Sequence, residues 1–109
     1  MKTFALKRLP IVTAEIFEAG EWSEEQNPGA GLPEGFDEEV ASVMDELRTA
    51  ALFHRIRFRD VRRAPLERFG FYGVCYVVRG DAVIVIAVFH DRRDRRRLRG
   101  RRREVGGKL

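Results

Sequence analysis

The chain has 109 residues, which is enough for one compact core and too few for two. It contains no run of about 18 apolar residues, so no membrane span is predicted, and its start lacks the apolar stretch and cleavage site of a secretory signal. A single cysteine, Cys75, excludes an internal disulfide and a thiolate metal cluster. We therefore expect a one-domain cytoplasmic protein with no membrane partner.

The formal net charge of +4 hides a strong polarity along the chain. Residues 1–54 carry 4 Lys or Arg and 11 Asp or Glu, a net of −7, whereas residues 55–109 carry 17 and 6, a net of +11. Nine of the twelve residues from Arg92 to Arg103 are arginine. This asymmetry indicates a polyanion-binding half on an acidic support. For residues 101–109 it favours a flexible basic tail after a domain of residues 1–100.

The first half of the chain predicts a short strand followed by a helix. Leu9–Val12 is apolar and β-branched, which suits a brief first strand with Pro10 at a sheet edge. Thr13 is then expected to cap a helix. Apolar residues at helical spacing predict that this helix runs from Ala14 to about Gln26.

A second helix is predicted after a Gly- and Pro-containing breaker at residues 27–31. It runs from Pro33 or Glu34 to Ala51, with acidic residues in its first turn. Two amphipathic helices joined by a short loop form an antiparallel αα-hairpin. The apolar stripe of the second helix comprises Phe36, Val40, Val43, Met44, Leu47 and Ala51.

Beyond Phe53 the apolar period changes from helical to alternating. Ile56 and Phe58 alternate with three arginines, which predicts a half-buried strand with one basic face. Residues 60–68 are expected to continue this strand, with a bulge or an edge position at Pro65. The arginines of the basic face are Arg55, Arg57 and Arg59.

Residues 71–94, FYGVCYVVRGDAVIVIAVFHDRRD, predict a β-hairpin. Gly80-Asp81 separates two apolar runs, and the glycine supplies a positive φ without steric cost. Both faces of the hairpin are apolar, so the helices should cover one face, and the C-terminal segment or a partner chain the other. The expected pairs are Tyr76–Val85, Val74–Ala87, Tyr72–Phe89, Cys75–Ile86 and Val77–Ile84.

These elements predict an α+β domain in which an N-terminal αα-hairpin packs on a small, mainly antiparallel sheet, in the order β-α-α-β-β-β. The sequence has no Gly-rich phosphate loop, no His/Cys metal spacing and no Ser-centred nucleophile motif. No cofactor and no metal are therefore expected. Cys75 lies in an apolar run, which favours a buried and inert thiol over a nucleophile.

Several segments, in this order, resemble the RelE/ParE family of bacterial type II toxin–antitoxin toxins. AEIFEAGEWSEEQ, residues 14–26, is similar to the first helix of that family, and DVRRAPLERF, residues 60–69, to its Arg-rich strand. Gly31-Leu32 with Phe36 is similar to the start of its second helix. The last two strands of the family are matched by Tyr76, Gly80-Asp81 and residues 89–94.

The resemblance covers about residues 11–96 and implies a RelE/ParE-like fold and a plasmid-stabilisation type of toxin. It implies neutralisation by a cognate antitoxin that wraps across the sheet and helices. Without an antitoxin, a homodimer through the same apolar surface is expected. An inactive relative retained as a binding protein is a further possibility.

The resemblance leaves two mechanisms open. A ParE-like protein inhibits DNA gyrase and cleaves nothing itself, whereas a RelE-like protein is an endoribonuclease that cleaves mRNA on the ribosome. No tyrosine follows His90, and this absence is closer to the ParE branch. In the nuclease alternative, His90 has the pKa for acid–base work. The arginines that would hold the phosphate are Arg62, Arg63 and Arg92.

We expect Arg62 and Arg63 to approach His90 and Arg92, on the assumption that their strands are neighbours about 5 Å apart. Guanidiniums held together favour an anion among them, which is an RNA phosphate in the nuclease and an acidic protein surface in the gyrase inhibitor. The simpler alternative is that His90 caps a strand and that the arginines balance the acidic helices. Contacts to nucleic acid are also predicted for Arg55, Arg57, Arg59, Arg93, Arg95 and Arg96.

Overall fold

The computed structural model describes residues 2–26, 32–69, 72–90 and 95–105. The five strands form one sheet in the order β1-β5-β4-β3-β2. β1 runs parallel to β5 and the other neighbours are antiparallel, so the predicted α+β class with a mainly antiparallel sheet is confirmed. In chain order the elements are β1 (Ala5–Arg8), α1 (Pro10–Gln26), α2 (Leu32–Ala50), β2 (Ile56–Phe58), β3 (Val61–Pro65), β4 (Tyr72–Arg79), β5 (Ala82–His90) and α3 (Arg95–Val105).

The N-terminal elements differ from the prediction in their bounds. The first strand is Ala5–Arg8, and the segment predicted as a strand, Leu9–Val12, contains the start of α1. Pro10 is the first helical residue, where its fixed φ suits the helix and its missing N–H removes no helical bond. Thr13 therefore lies inside α1 and does not cap it.

The predicted αα-hairpin is present and packs on one face of the sheet. Its core contains the stripe of α2 predicted from the sequence, in which Phe36, Leu47 and Ala51 are fully buried. α1 contributes Val12 and Ala19 to the same cluster. The breaker predicted at residues 27–31 lies outside the described residues.

Residues 56–65 form two strands where one continuous strand was predicted. β2 and β3 pair antiparallel around a tight turn at Arg59 and Asp60. Arg59 has a φ of 54°, in the left-handed region that a turn of this kind requires. Pro65 ends β3 opposite Gly73 of β4, close to the position where a break was predicted.

The β4–β5 hairpin turns at Gly80-Asp81 as predicted, with a φ of 59° at Gly80. The predicted pairs Tyr76–Val85 and Val77–Ile84 are correct. Beyond Val85 the register shifts by one at a bulge, so the other three predicted pairs are wrong. The observed pairs there are Cys75–Ala87, Val74–Val88, Gly73–Phe89 and Tyr72–His90.

The bulge changes which side chains share a face of the sheet. Ile86 and Ala87 are consecutive, yet both lie in the apolar cluster on the face opposite the αα-hairpin. Phe89 follows them onto that face, whereas the predicted pairing placed Phe89 and Ala87 on the same face as Tyr76. A bulge inserts one extra residue into a strand, so two successive side chains can point to the same face of the sheet.

The C-terminal arginine-rich segment forms helix α3 and covers part of that second face. Leu98 and Val105 of α3 pack into the cluster of the second face. The prediction of a flexible tail from Arg101 is therefore wrong for residues 101–105, while residues 106–109 lie outside the described part of the chain. None of the helices in the described ranges is long and apolar enough to cross a membrane.

Candidate functional site

The sheet face that carries α3, hereafter the α3 face, combines an apolar floor with guanidinium groups. Its floor is a buried cluster that includes Cys75, Val77 and Ile86. Arg63 lies on this face because it pairs with Cys75, and paired residues of neighbouring strands point to the same side. Arg101 of α3 stacks over the Phe89 ring, 4.8 Å from its centroid.

Gly73 makes room for the Arg63 side chain on this face. A Cβ atom at Gly73 would lie 2.5 Å from Nε and 2.6 Å from Cζ of Arg63. Any larger residue at position 73 would therefore force the guanidinium to move. The glycine thus allows Arg63 to lie flat against the backbone of β4.

Cys75 is a buried thiol in the apolar floor of the α3 face. Burial raises the pKa of its thiol to about 11, and the charges of Arg63, Arg57 and Arg101 only partly oppose that effect. A thiol with this pKa holds almost no thiolate at neutral pH and is a poor nucleophile. The expectation that Cys75 is buried is confirmed.

Glu15 and Arg101 form an ion pair that covers the exposed side of β5. β1 ends at Arg8, opposite Val85, so no described strand pairs with β5 on that side beyond this point. The Glu15 Oε1 atom accepts a hydrogen bond from the Val88 N–H at 3.2 Å. Nη1 of Arg101 donates to the Ile86 carbonyl at 3.1 Å and to Glu15 Oε1 at 2.5 Å. The pair therefore satisfies backbone groups that a sixth strand would otherwise bind.

Asp60 in the β2–β3 turn joins α3 to the sheet from the other side. Its carboxylate contacts Nη1 of Arg79 at 2.9 Å and accepts a hydrogen bond from Nε of Arg102 at 2.5 Å. Burial alone raises the pKa of the Asp60 carboxyl, but the hydrogen bond from Arg102 and the charges of Arg79 and Arg102 hold its pKa below the ordinary value. The carboxylate is therefore charged throughout the physiological range.

Because the pKa of Asp60 is lower in the folded chain than in the unfolded chain, its contribution to stability is full above pH 3.8 and is lost as the pH falls through the folded value. We expect Asp60→Asn to lose about 1 kcal/mol or less at pH 7, since its partners are partly exposed. The melting temperature of the variant should fall less than that of wild type between pH 5 and pH 2. Asp45→Asn, an exposed carboxylate of α2, is the control, and an equal pH profile for both variants would contradict this role.

The structure does not bring the predicted arginine cluster together. Arg62 pairs with Tyr76 and lies on the face of the αα-hairpin, whereas Arg63 lies on the α3 face. Nη1 of Arg62 donates to the His54 carbonyl at 2.6 Å and, weakly, to the Leu52 carbonyl at 3.4 Å. Arg62 therefore braces the loop between α2 and β2, and the expectation of a site shared with Arg63 is wrong.

His90 is separated from both arginines by a whole strand. β4 lies between β3 and β5, so the assumption that their strands are neighbours is wrong. His90 ends β5 opposite Tyr72, three residues along β4 from the partner of Arg63. This offset corresponds to about 10 Å along the strand and about 10 Å across two interstrand spacings. Arg92 and Arg93 lie outside the described residues.

The remaining predicted contact residues fall on two exposed segments. Arg55, Arg57 and Arg59 are exposed around β2, the edge strand of the sheet. Arg95 begins α3, and Arg96 is exposed in its first turn. Their predicted contact with nucleic acid stays a prediction. Among the described residues, no group of three His, Cys, Asp or Glu side chains could hold a metal ion.

The αα-hairpin presents a second surface of a different character. A groove of about 350 Å³ runs between α1 and α2, with Ile16, Phe17 and Met44 in its lining. The ring of Phe17 is 67% exposed. Further exposed apolar side chains follow α2, namely Leu52, Phe53 and Ile56.

Sequence reasoning missed the residues that fix α3. Arg101 was assigned to a flexible tail and Glu15 was given no role, although the two are joined in an ion pair. Leu98 and Val105, one heptad apart, were the available signal of an amphipathic helix within the arginine run. Nothing in the local sequence marks Gly73 as the position that accommodates Arg63.

Comparison with solved structures finds this fold elsewhere. A chain in the structure "Chromosomal ParDE TA system from P. aeruginosa" superposes with a TM-score of 0.68, covering 81% of this chain and 96% of that chain. The two sequences are 13% identical. No protein-family model and no curated protein sequence matches the chain. The ParE-like fold predicted from the sequence is therefore confirmed as a fold.

Proposed function

We propose that this protein is the toxin of a bacterial type II toxin–antitoxin pair, and that it acts as a ParE-like inhibitor of DNA gyrase. The observation that carries the proposal is the fold shared with a chain of the ParDE structure over 96% of that chain. The α+β architecture with its N-terminal αα-hairpin agrees with the sequence resemblance to RelE/ParE toxins. Fold alone does not specify activity, so the surfaces must support the choice.

The arrangement of the candidate catalytic residues favours an inhibitor over a nuclease. RNA cleavage by acid–base chemistry needs a base, an acid and cations around one phosphate. Arg62 and Arg63 point to opposite faces of the sheet, and the strand of His90 is not adjacent to theirs. A protein that acts by binding its target needs no such cluster.

Exposed apolar side chains support a protein partner, for which a cognate antitoxin is the proposed candidate. Ile11 and Phe17 on α1 are exposed, and Phe17 lines the groove between the two helices. Apolar side chains grouped around a groove commonly mark interaction surfaces. The acidic first half and the basic second half of the sequence offer a partner charges of both signs. A cytoplasmic location is proposed with this role.

Inducible expression in a bacterial host tests the proposal. We expect wild type to arrest growth, coexpression of the neighbouring gene's product to restore it, and gyrase mutations in the host to confer resistance. His90→Ala should remain toxic because the proposed inhibitor does no acid–base chemistry. The folded state of each variant is checked by circular dichroism.

The RelE-like alternative predicts a different set of results. Loss of toxicity in folded His90→Ala, together with mRNA cleavage on ribosomes in a translation extract, would replace the gyrase proposal with the nuclease. A folded wild-type chain that is harmless in every host would overturn the toxin assignment itself.

A further inference from the structure

Helix α3 has two chemically distinct faces. The inward face carries Leu98 and Val105, which pack on the sheet, and two arginines that are held by carboxylates. The outward face carries arginines at exposed positions, and one helical turn separates each from the next. We name these outward residues the basic stripe, which consists of Arg96, Arg99 and Arg103.

The two inward arginines fix the rotation of α3. Arg101 is bound to Glu15 and to the Ile86 carbonyl, and Arg102 is bound to Asp60. Because these anchors lie on either side of the apolar contacts, α3 cannot turn the basic stripe toward the sheet without breaking both ion pairs. The stripe is therefore presented to solvent in a fixed orientation, which lowers the cost of ordering it on a ligand.

Two residues of the basic stripe, Arg99 and Arg103, add positive charge to a helix that has few carboxylates. The α3 sequence RRRLRGRRREV has one acidic residue, Glu104. Within the described ranges, no carboxylate forms a salt bridge with Arg99 or Arg103. A cationic surface of this kind attracts a polyanion.

The Asp60–Arg102 contact extends this charge beyond the helix. It joins α3 to the β2–β3 turn, where Arg59 is the residue next to Asp60 and is exposed. Arg103 is likewise the neighbour of Arg102 in α3. Arg59 is thus a further exposed arginine on the turn to which α3 is anchored.

We propose that the basic stripe binds the phosphate backbone of double-stranded DNA. From Arg96 to Arg103 the helix rises about 10 Å, which spans about three phosphates of one strand. Gly100 lies beside the stripe, and apart from its chain neighbours and the backbone of its own helix no described atom lies within 4 Å of where its Cβ would be, so a backbone can approach closely. This binding does not depend on the toxin assignment.

Two features favour duplex DNA over other nucleic acids. Helix α3 contains no aromatic residue, so its surface lacks the stacking platform that single-strand binders use. The major groove of B-form DNA is wide enough to admit an α-helix, whereas that of duplex RNA is deep and narrow. A helix with an exposed arginine stripe therefore suits the backbone that borders a B-form groove.

Fluorescence anisotropy with a labelled DNA duplex of about 20 base pairs and arbitrary sequence tests the proposal on the full chain. Three phosphate contacts predict a slope of log K against log salt of about −2.7, or about a 40-fold loss of affinity between 50 and 200 mM salt. In the triple variant Arg96→Gln, Arg99→Gln, Arg103→Gln, the slope of log K against log salt should become shallower by about 2.7. The matched control removes three exposed positive charges elsewhere, through Lys2→Gln, Lys7→Gln and Arg48→Gln, and should keep the slope.

Other results would overturn the proposal. An unchanged affinity and slope in the stripe variant, with unchanged circular dichroism, would show that the stripe makes no phosphate contact. Tighter binding of single-stranded DNA or duplex RNA would reject duplex DNA as the ligand. Equal binding of a polyglutamate peptide at the same salt concentration would identify the stripe as a surface for acidic protein.

Discussion

Replacing Arg101 with methionine is expected to lower the free energy of unfolding by about 3–5 kcal/mol, because the substitution leaves the Glu15 carboxylate buried without its charged partner. Both side chains of the pair are largely buried, at 13% and 8% exposure. The Ile86 carbonyl would lose a donor as well. Urea denaturation followed by circular dichroism measures the change.

The double variant Glu15→Gln, Arg101→Met separates the ion pair from the packing of the methylene groups. The glutamine side chain keeps an oxygen for the Val88 N–H but carries no charge, so the double variant should recover most of the stability lost in Arg101→Met. Arg103→Met, on the exposed face of the same helix, is the control and should change stability by less than about 0.5 kcal/mol. Equal losses for Arg101→Met and Arg103→Met would show that the pair does not hold α3 in place.

The elements that could be predicted from sequence are those whose signals are local. The apolar stripe of α2 repeats at helical spacing from Phe36 to Ala51, and every residue of it packs in or against the core. The turn at Gly80 was marked by a residue that adopts positive φ without strain. In both cases the residues that carry the pattern also make the contacts that stabilise it.

The elements that were missed depend on distant partners. β1 has the sequence ALKR, which carries no strand pattern of its own, and it forms by pairing with β5 about 77 residues later. The bulge after Val85 follows from packing, since both Ile86 and Ala87 are apolar and either could face inward. α3 is anchored by Glu15 and Asp60, which lie 86 and 42 residues away in the chain.

The candidate site was mispredicted because the strand of Arg63 was assumed to be a neighbour of the strand of His90. β4 lies between β3 and β5 in the chain and in the sheet alike. The assignment of Arg62 and Arg63 to one site also ignored the alternation of side chains along β3. Only the placement of exposed arginines around β2 agrees with the sequence prediction of a basic face there.

The charge polarity of the sequence has a structural role as well as a proposed binding role. Glu15, from the acidic half, and Asp60, from the basic half, bind the two inward arginines of α3. These contacts satisfy the charges that would oppose docking of an arginine-rich helix on an apolar face. The arginines on the outward face are then presented to a ligand, so the same helix serves as a cover for the sheet and as the proposed DNA-binding surface.

Phe36 is one of the fully buried contacts between the αα-hairpin and the sheet, and replacing it with alanine is expected to cost about 3–5 kcal/mol. Its side chain is fully buried, and its ring makes edge-to-face contacts with Phe69 and Tyr72 at centroid distances of 5.3 and 5.1 Å. Alanine leaves a cavity between α2 and the sheet and removes both aromatic contacts. Urea denaturation measures the loss.

Two further variants show whether the loss comes from this contact. Phe36→Leu keeps most of the buried volume and should cost less than Phe36→Ala, with the difference reporting the aromatic contacts and the residual cavity. Phe17→Ala is the matched control in the same hairpin, because its ring is 67% exposed and should contribute less than about 0.5 kcal/mol. We expect the larger loss for Phe36→Ala because a buried ring with two aromatic partners cannot be removed from a packed core without leaving a cavity. If Phe36→Ala were no more destabilising than Phe17→Ala, the hairpin would not depend on Phe36 for its attachment.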